Sequence, residues 1–157
     1  MRTVFTRFLV AAAACAAMAV AGAQAPPAPA AQKGVEKHLK NIRQLTSGGE
    51  NAEAYFSADG SRLVFQSTRE GVPCDQIFSM KMDGRDLKRI STGAGRTTCG
   101  YFYPGGKQLL YASTHEAGKE CPPRPSFARG YVWPIYDGYD IYRANADGSG
   151  LTPLTRT

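Results

Sequence analysis

The sequence predicts an all-β fold: four-stranded antiparallel propeller blades, about two complete blades of an incomplete β-propeller. Three observations lead there. Two long segments match each other in register, tight-turn glycines recur inside each copy, and the runs flanking them are short and apolar. Tyr55–Glu70 aligns with Tyr101–Glu116 at an offset of 46 residues, and Ile77–Leu87 aligns with Ile141–Leu151 at an offset of 64. The difference, 64 minus 46, measures an 18-residue insertion in the second copy, between Glu116 and Tyr139.

Each element follows from local chemistry. Leu63–Phe65 and Leu109–Tyr111 are brief apolar runs bounded by turn residues, the mark of buried strands. Asp59-Gly60, Asp83-Gly84, Gly105-Gly106 and Asp147-Gly148 supply the positive φ that two-residue hairpins require. Each copy therefore reads as strand, hairpin, strand, loop, strand, hairpin, strand. A four-stranded unit repeating at about 45 residues is the propeller-blade pattern. A third element occurs three times, as Ile42–Thr46, Leu87–Ser91 and Leu151–Thr155. On that match Leu39–Thr46 is predicted to be an outermost strand, although the spacing of Leu39, Ile42 and Leu45 would also suit a helix. Rings of this kind use roughly 4–8 blades. The two copies thus read as the N-terminal portion of a larger propeller, or as a short chain that assembles with other copies.

The predicted organisation is a signal peptide over 1–23, a Pro/Ala-rich tether over 24–37 and a partial propeller over 38–157. Blade one covers about 47–91 and blade two about 92–154. The signal reading rests on Arg2 and Arg7, the apolar run Phe8–Val20 and the small residues Ala21–Ala23. Of the first 31 residues 22 are apolar, so the body is much less apolar than the 43% of the whole chain suggests. Removing the two arginines takes the formal charge from +6 to +4. The remaining charges are interspersed, which gives no basic patch for nucleic acid. No membrane span is expected after signal cleavage, since spanning takes roughly 20 apolar residues. The expected location is periplasmic or secreted.

The patterns F-S-A-D-G-S-R-L-V-F-Q-S, from Phe56 to Ser67, and I-F-S-M-K-M-D-G-R-D-L, from Ile77 to Leu87, resemble the WD40-like repeats of TolB-like periplasmic β-propellers. The likeness spans about 38–157. Copy two departs from it at Tyr103-Pro104-Gly105-Gly106 and in carrying the insertion. The resemblance implies an exported, non-enzymatic scaffold whose partners are cell-envelope proteins. It also allows the N-terminal gating propeller of a prolyl-oligopeptidase-like serine hydrolase, with the catalytic domain elsewhere.

Three cysteines follow the signal: Cys74, Cys99 and Cys121. In an up-and-down blade their loops fall on one face. An oxidising compartment favours a disulfide, and three is odd, so one thiol is left over. Cys99, in the link between copies, can reach either neighbour, so a Cys74–Cys99 or Cys99–Cys121 bond is expected. Asp75, Arg96 and His115 with Glu116 lie on the same face. One His, one Asp and one Cys are too few for a metal centre, so no metal and no cofactor are expected, and His115 reads as a polar loop residue. Nucleophile-elbow, zinc-protease and phosphate-loop motifs do not occur, so no catalytic residue is assigned.

The insertion, Lys119–Gly138, is the most unusual stretch. It holds four prolines and, with Tyr139, the aromatic residues Tyr131, Trp133, Tyr136 and Tyr139, including the chain's single tryptophan. Long loops of this kind are often functional, and Tyr and Trp are enriched where partners bind. Two readings stand side by side: a lid in which Val132, Trp133 and Ile135 fold back on the blade's own core, and a face that takes a protein partner, a peptide or an oligosaccharide.

Overall fold

A computed structural model describes residues 38–69 and 71–156. The signal peptide and the tether lie outside the described residues. Eight strands form two sheets. The first is β1 (Glu50–Phe56), β2 (Arg62–Thr68), β3 (Gln76–Lys81) and β4 (Lys88–Arg89); the second is β5 (Thr97–Phe102), β6 (Gln108–Ser113), β7 (Asp140–Asn145) and β8 (Thr152–Pro153). Each is an antiparallel meander in sequential order, β1-β2-β3-β4 and β5-β6-β7-β8. The all-β blade fold expected from the repeat is what the chain adopts.

The hairpins use the predicted glycines. Gly60 sits at φ 67° and Gly84 at 84°, with Gly105 and Gly106 at 87° and 68° in the second copy. In the first turn the Asp59 carboxylate accepts from the backbone N–H of Ser61 and from the hydroxyls of Ser57 and Ser61. Those bonds hold its pKa down at about 2. Gly105 has no side chain to do this, yet the backbone frame is kept: Gly106 donates to the Tyr103 carbonyl as Gly60 donates to that of Ser57.

The innermost strands share an irregularity as well. The β1–β2 register shifts between Ala52 and Tyr55, and the β5–β6 register between Thr98 and Tyr101. Glu53 and Cys99, which are 46 residues apart, occupy these bulges at φ 52° and 54°. Neither residue type favours that conformation.

Packing between blades explains why burial alternates along β6 while consecutive residues of β2 and β3 are buried on both faces. Val64 and Ile77, from one face of the first sheet, meet Phe102, Leu109, Tyr111, Tyr142 and Ala144 from the second, and all are buried. Gly100 of β5 lies against this face; a Cβ there would come within 3.0 Å of both Val64 and Ile77. The opposite face of the first sheet gathers Leu63, Phe65, Phe78 and Met80, with Leu45 and Met82 packed on it. The positions equivalent to Val64 and Ile77 in copy two are Leu110 and Ile141, which are half-buried and exposed.

The strand predicted at Leu39–Thr46 is not formed. Among the described residues the first strand starts at Glu50, and Leu39 and Ile42 are exposed. The matching elements become strands because the third strand of their own blade lies alongside. Lys88–Arg89 pairs with Phe78 and Ser79, and Thr152–Pro153 with Tyr142 and Arg143. Among the described residues no strand pairs with Ile42–Thr46. It is tied down instead by Leu45 and by the Arg43 guanidinium donating to the Met82 carbonyl.

Candidate functional site

The site is built where three loops converge. The link between blades runs from Ser91 to Arg96 and is organised by Gln76, which is fully buried. The Gln76 amide nitrogen donates to the Gly95 carbonyl, and its oxygen accepts from the Ser91 hydroxyl and the Gly93 N–H. Gly95 donates in turn to the Lys119 carbonyl, where the insertion begins. A Cβ on Gly95 would lie 2.8 Å from the His115 nitrogen, so this close approach and its φ of 59° both need glycine.

Cys74 and Cys121 form a disulfide, with Cα atoms 5.9 Å apart. Cys99 is free and exposed. This corrects the expectation that Cys99 would be a partner. The physical reason is the bulge: Cys99 belongs to β5, the inner strand, while Cys74 and Cys121 occupy equivalent loops of neighbouring blades. The bond therefore joins blade to blade and fastens the start of the insertion. A sequence separation of 47 residues makes its chain-entropy contribution about 4 kcal/mol.

Beside the disulfide, Arg96 and Asp75 form an ion pair at 3.0 Å with both side chains mostly covered. The second Asp75 oxygen accepts from the Thr68 hydroxyl at 2.6 Å. The insertion then rises as irregular chain with two tight turns. Gly130 donates to Phe127, and Tyr139 to Tyr136. The Tyr136 hydroxyl donates to the Pro123 carbonyl, which closes the loop on itself. Phe127, Tyr131 and Trp133 form a continuous run of ring contacts, at 5.9 and 6.4 Å between centroids. These rings stay in solvent: Tyr131 is 77% exposed, Trp133 64% and Ile135 89%. The lid reading of the insertion is therefore not what the chain does, because Trp133 and Ile135 do not fold back onto a core.

Under the insertion is a cavity of about 310 Å³. Its blade-side wall includes Glu50, Asn51 and Ala52 of β1, Gln66 of β2, Asp75, Arg96 and Thr98. The insertion supplies Arg124, Phe127, Tyr131, Trp133, Tyr136 and Tyr139, among others. Burial pushes the Tyr139 phenol up to about 12. Of the residues predicted for a partner face, Asp75, Arg96, Tyr131, Trp133, Tyr136 and Tyr139 all line this one cavity. His115 does not. Its Nδ1 lies 2.8 Å from the Ser113 hydroxyl and its ring packs on Tyr142 at 4.4 Å. Burial lowers its pKa, with Glu116 opposing the shift. Gln66, Thr98 and Arg124 were not singled out by the sequence. Gln66 carried one signal, a long polar side chain directly after an apolar strand run.

Among the described residues no cluster of three or more His, Cys, Asp and Glu could hold a metal ion, and no helix is long and apolar enough to cross a membrane.

Comparison with solved structures shows the fold. A putative TolB from Agrobacterium tumefaciens matches with a TM-score of 0.51 and 23% identity, over 71% of this chain and 35% of that one. TolB from Acinetobacter baumannii matches at 0.47 and 22%, over 72% of this chain and 23% of that one. The chain thus shares a TolB-like β-propeller fold and spans about a third or less of the length of these structures. No family model and no curated protein matches it.

Proposed function

We propose that the chain is a non-enzymatic scaffold of the bacterial cell envelope and that the Lys119–Gly138 insertion is its docking surface for other envelope proteins. The observation that carries this is the exposed aromatic run. Solvated Tyr and Trp in an ordered, proline-stiffened loop are the residue types that dominate protein interfaces. Prolines and the disulfide limit the entropy lost when the loop is immobilised by a partner. The TolB-like fold is consistent with a binding role by analogy alone, and because function resides in sites rather than folds the proposal rests on the insertion. The disulfide suits an exported protein, because such bonds persist in oxidising compartments. Removal of residues 1–23 by signal cleavage belongs to the same proposal.

The test is capture from envelope extracts with the full chain and with a Tyr131→Ser/Trp133→Ser variant, bound proteins being identified by mass spectrometry. Proteins retained by the first and lost by the second support the docking surface. Identical captures remove the insertion from the account.

A further inference from the structure

We infer that the cavity beneath the insertion takes a proline-rich segment in the polyproline II conformation; this specifies the partner chemistry of the docking surface proposed above and rests on it. Three observations carry the inference, each from a different part of the site.

The first is the unspent hydrogen-bonding capacity of the floor. Gln66 is only 8% exposed. Its oxygen accepts from the Thr98 hydroxyl at 2.8 Å and the Cys99 N–H at 3.3 Å. Its amide nitrogen has no partner among the described residues, although it belongs to a side chain lining the cavity. Among the described residues Arg96 adds a buried Nε without a partner, and no hydrogen bond engages the solvent-exposed Trp133 indole N–H or Arg124 guanidinium. The free groups are thus mostly donors. A polyproline II segment is their complement, because it has no internal hydrogen bonds and its prolines offer carbonyl oxygens without N–H groups.

The second is the wall. Phe127, Tyr131 and Trp133 line the cavity with their rings in successive contact. Aromatic-lined grooves are how proline-rich segments are recognised, since a preformed helix loses little entropy on binding. Charge does not select a ligand here: Glu50 and Asp75 balance Arg96 and Arg124 in the lining. That disfavours a strongly acidic or basic peptide.

The third is the closed alternative. A peptide could add to a free sheet edge, and β1 is an edge strand of its sheet. The bulge at Glu53, with φ 52°, interrupts the ladder along that edge. Bulges of this kind block strand addition. Recognition therefore falls to side chains.

The chain's single tryptophan makes the test direct. The full chain is titrated with octaproline, with a glycine–serine peptide of equal length and with maltotriose, followed by Trp133 fluorescence and by calorimetry. The expected result is saturable octaproline binding, at least roughly tenfold tighter than to the glycine–serine peptide, a gap of about 1.4 kcal/mol. Trp133→Ala, read by calorimetry, should weaken it by a similar factor. Gln66→Glu, which keeps the acceptor for Thr98 and Cys99 but removes the donor, should weaken it as well. Melting curves establish that each variant is folded; because Trp133 is exposed, its variant keeps the test valid if the Gln66 variant fails to fold. Absence of saturable octaproline binding, equal binding of the glycine–serine peptide, binding of maltotriose alone, or octaproline affinity unaffected by Trp133→Ala would each overturn the inference. If octaproline fails while Tyr131→Ser/Trp133→Ser still abolishes capture of an envelope protein, the docking surface stands and this inference falls.

Discussion

Blade one and blade two are the same backbone put to different ends. Both are four-stranded meanders with a bulge on the inner strand and a glycine in each hairpin. They differ in one loop. Between β2 and β3 blade one spends seven residues, Arg69–Asp75, whereas between β6 and β7 blade two carries the insertion. They differ also in cover: the Val64 and Ile77 face of blade one is sealed by blade two, while the matching Leu110 and Ile141 face of blade two is not. The repeat supplies a rigid platform, and what distinguishes this chain chemically is concentrated where the copies stop matching.

The largest expected effect breaks the link between the copies. The double variant Cys74→Ser/Cys121→Ser should lose about 4 kcal/mol by the chain-entropy model, measured by denaturant unfolding against the parent under non-reducing conditions. Cys99→Ser should change stability by less than about 0.5 kcal/mol, as a surface substitution does. A comparable loss from Cys99→Ser would mean that the thiol is engaged after all.

Next comes the interface between blades. Leu109→Ala empties a fully buried site in the cluster with Val64 and Ile77 and should cost about 3 kcal/mol. Leu110→Ala, one residue on and facing the other way, should cost about 1 kcal/mol or less because its site is only half-covered. Equal losses would contradict the packing described.

The equivalent turn glycines Gly84 and Gly148 sharpen the comparison further. A Cβ at Gly148 would come within 2.8 Å of the Ile90 carbonyl, while at Gly84 the nearest atom is 3.5 Å away. Both have positive φ, 84° and 90°. Gly84→Ala should therefore cost about 1 kcal/mol for the backbone alone, and Gly148→Ala measurably more in the same thermal melts.

The smallest effect concerns the one turn carboxylate that copy two lacks. Asp59 is held at about 2, below its ordinary 3.8. A depressed carboxylate stabilises the fold above its unfolded pKa and loses that contribution as pH falls through the folded one. Asp59→Asn should thus be less stable than the parent above about pH 4, with the gap closing towards pH 2. A gap that stays constant across that range would show the carboxylate's charge to be irrelevant to the turn.

Much of the fold was legible in the sequence because its signals are local. Asp-Gly and Gly-Gly pairs mark hairpins, and the short apolar runs Leu63–Phe65 and Leu109–Tyr111 between turn residues mark strands. The failures were those whose answer lies in a neighbour. Leu39–Thr46 looks like the outer strand of a blade, but the pattern becomes a strand only beside a third strand. Cys99 was a reasonable partner by chain position, and the bulge that puts it on the inner strand is invisible, since Glu53 and Cys99 carry no residue signal for positive φ. The aromatic composition of the insertion pointed to the site. That Trp133 and Ile135 face solvent, and that Gln66 closes the floor with an idle donor, depend on a tertiary path no periodicity records.

In the function proposed above the insertion, not the repeat, recognises the partner. Capture from envelope extracts by the full chain and by Tyr131→Ser/Trp133→Ser tests it most directly. At least one specifically captured envelope protein should be lost from the variant, although its melting temperature is unchanged. The same captured proteins in the same amounts from both chains would contradict it.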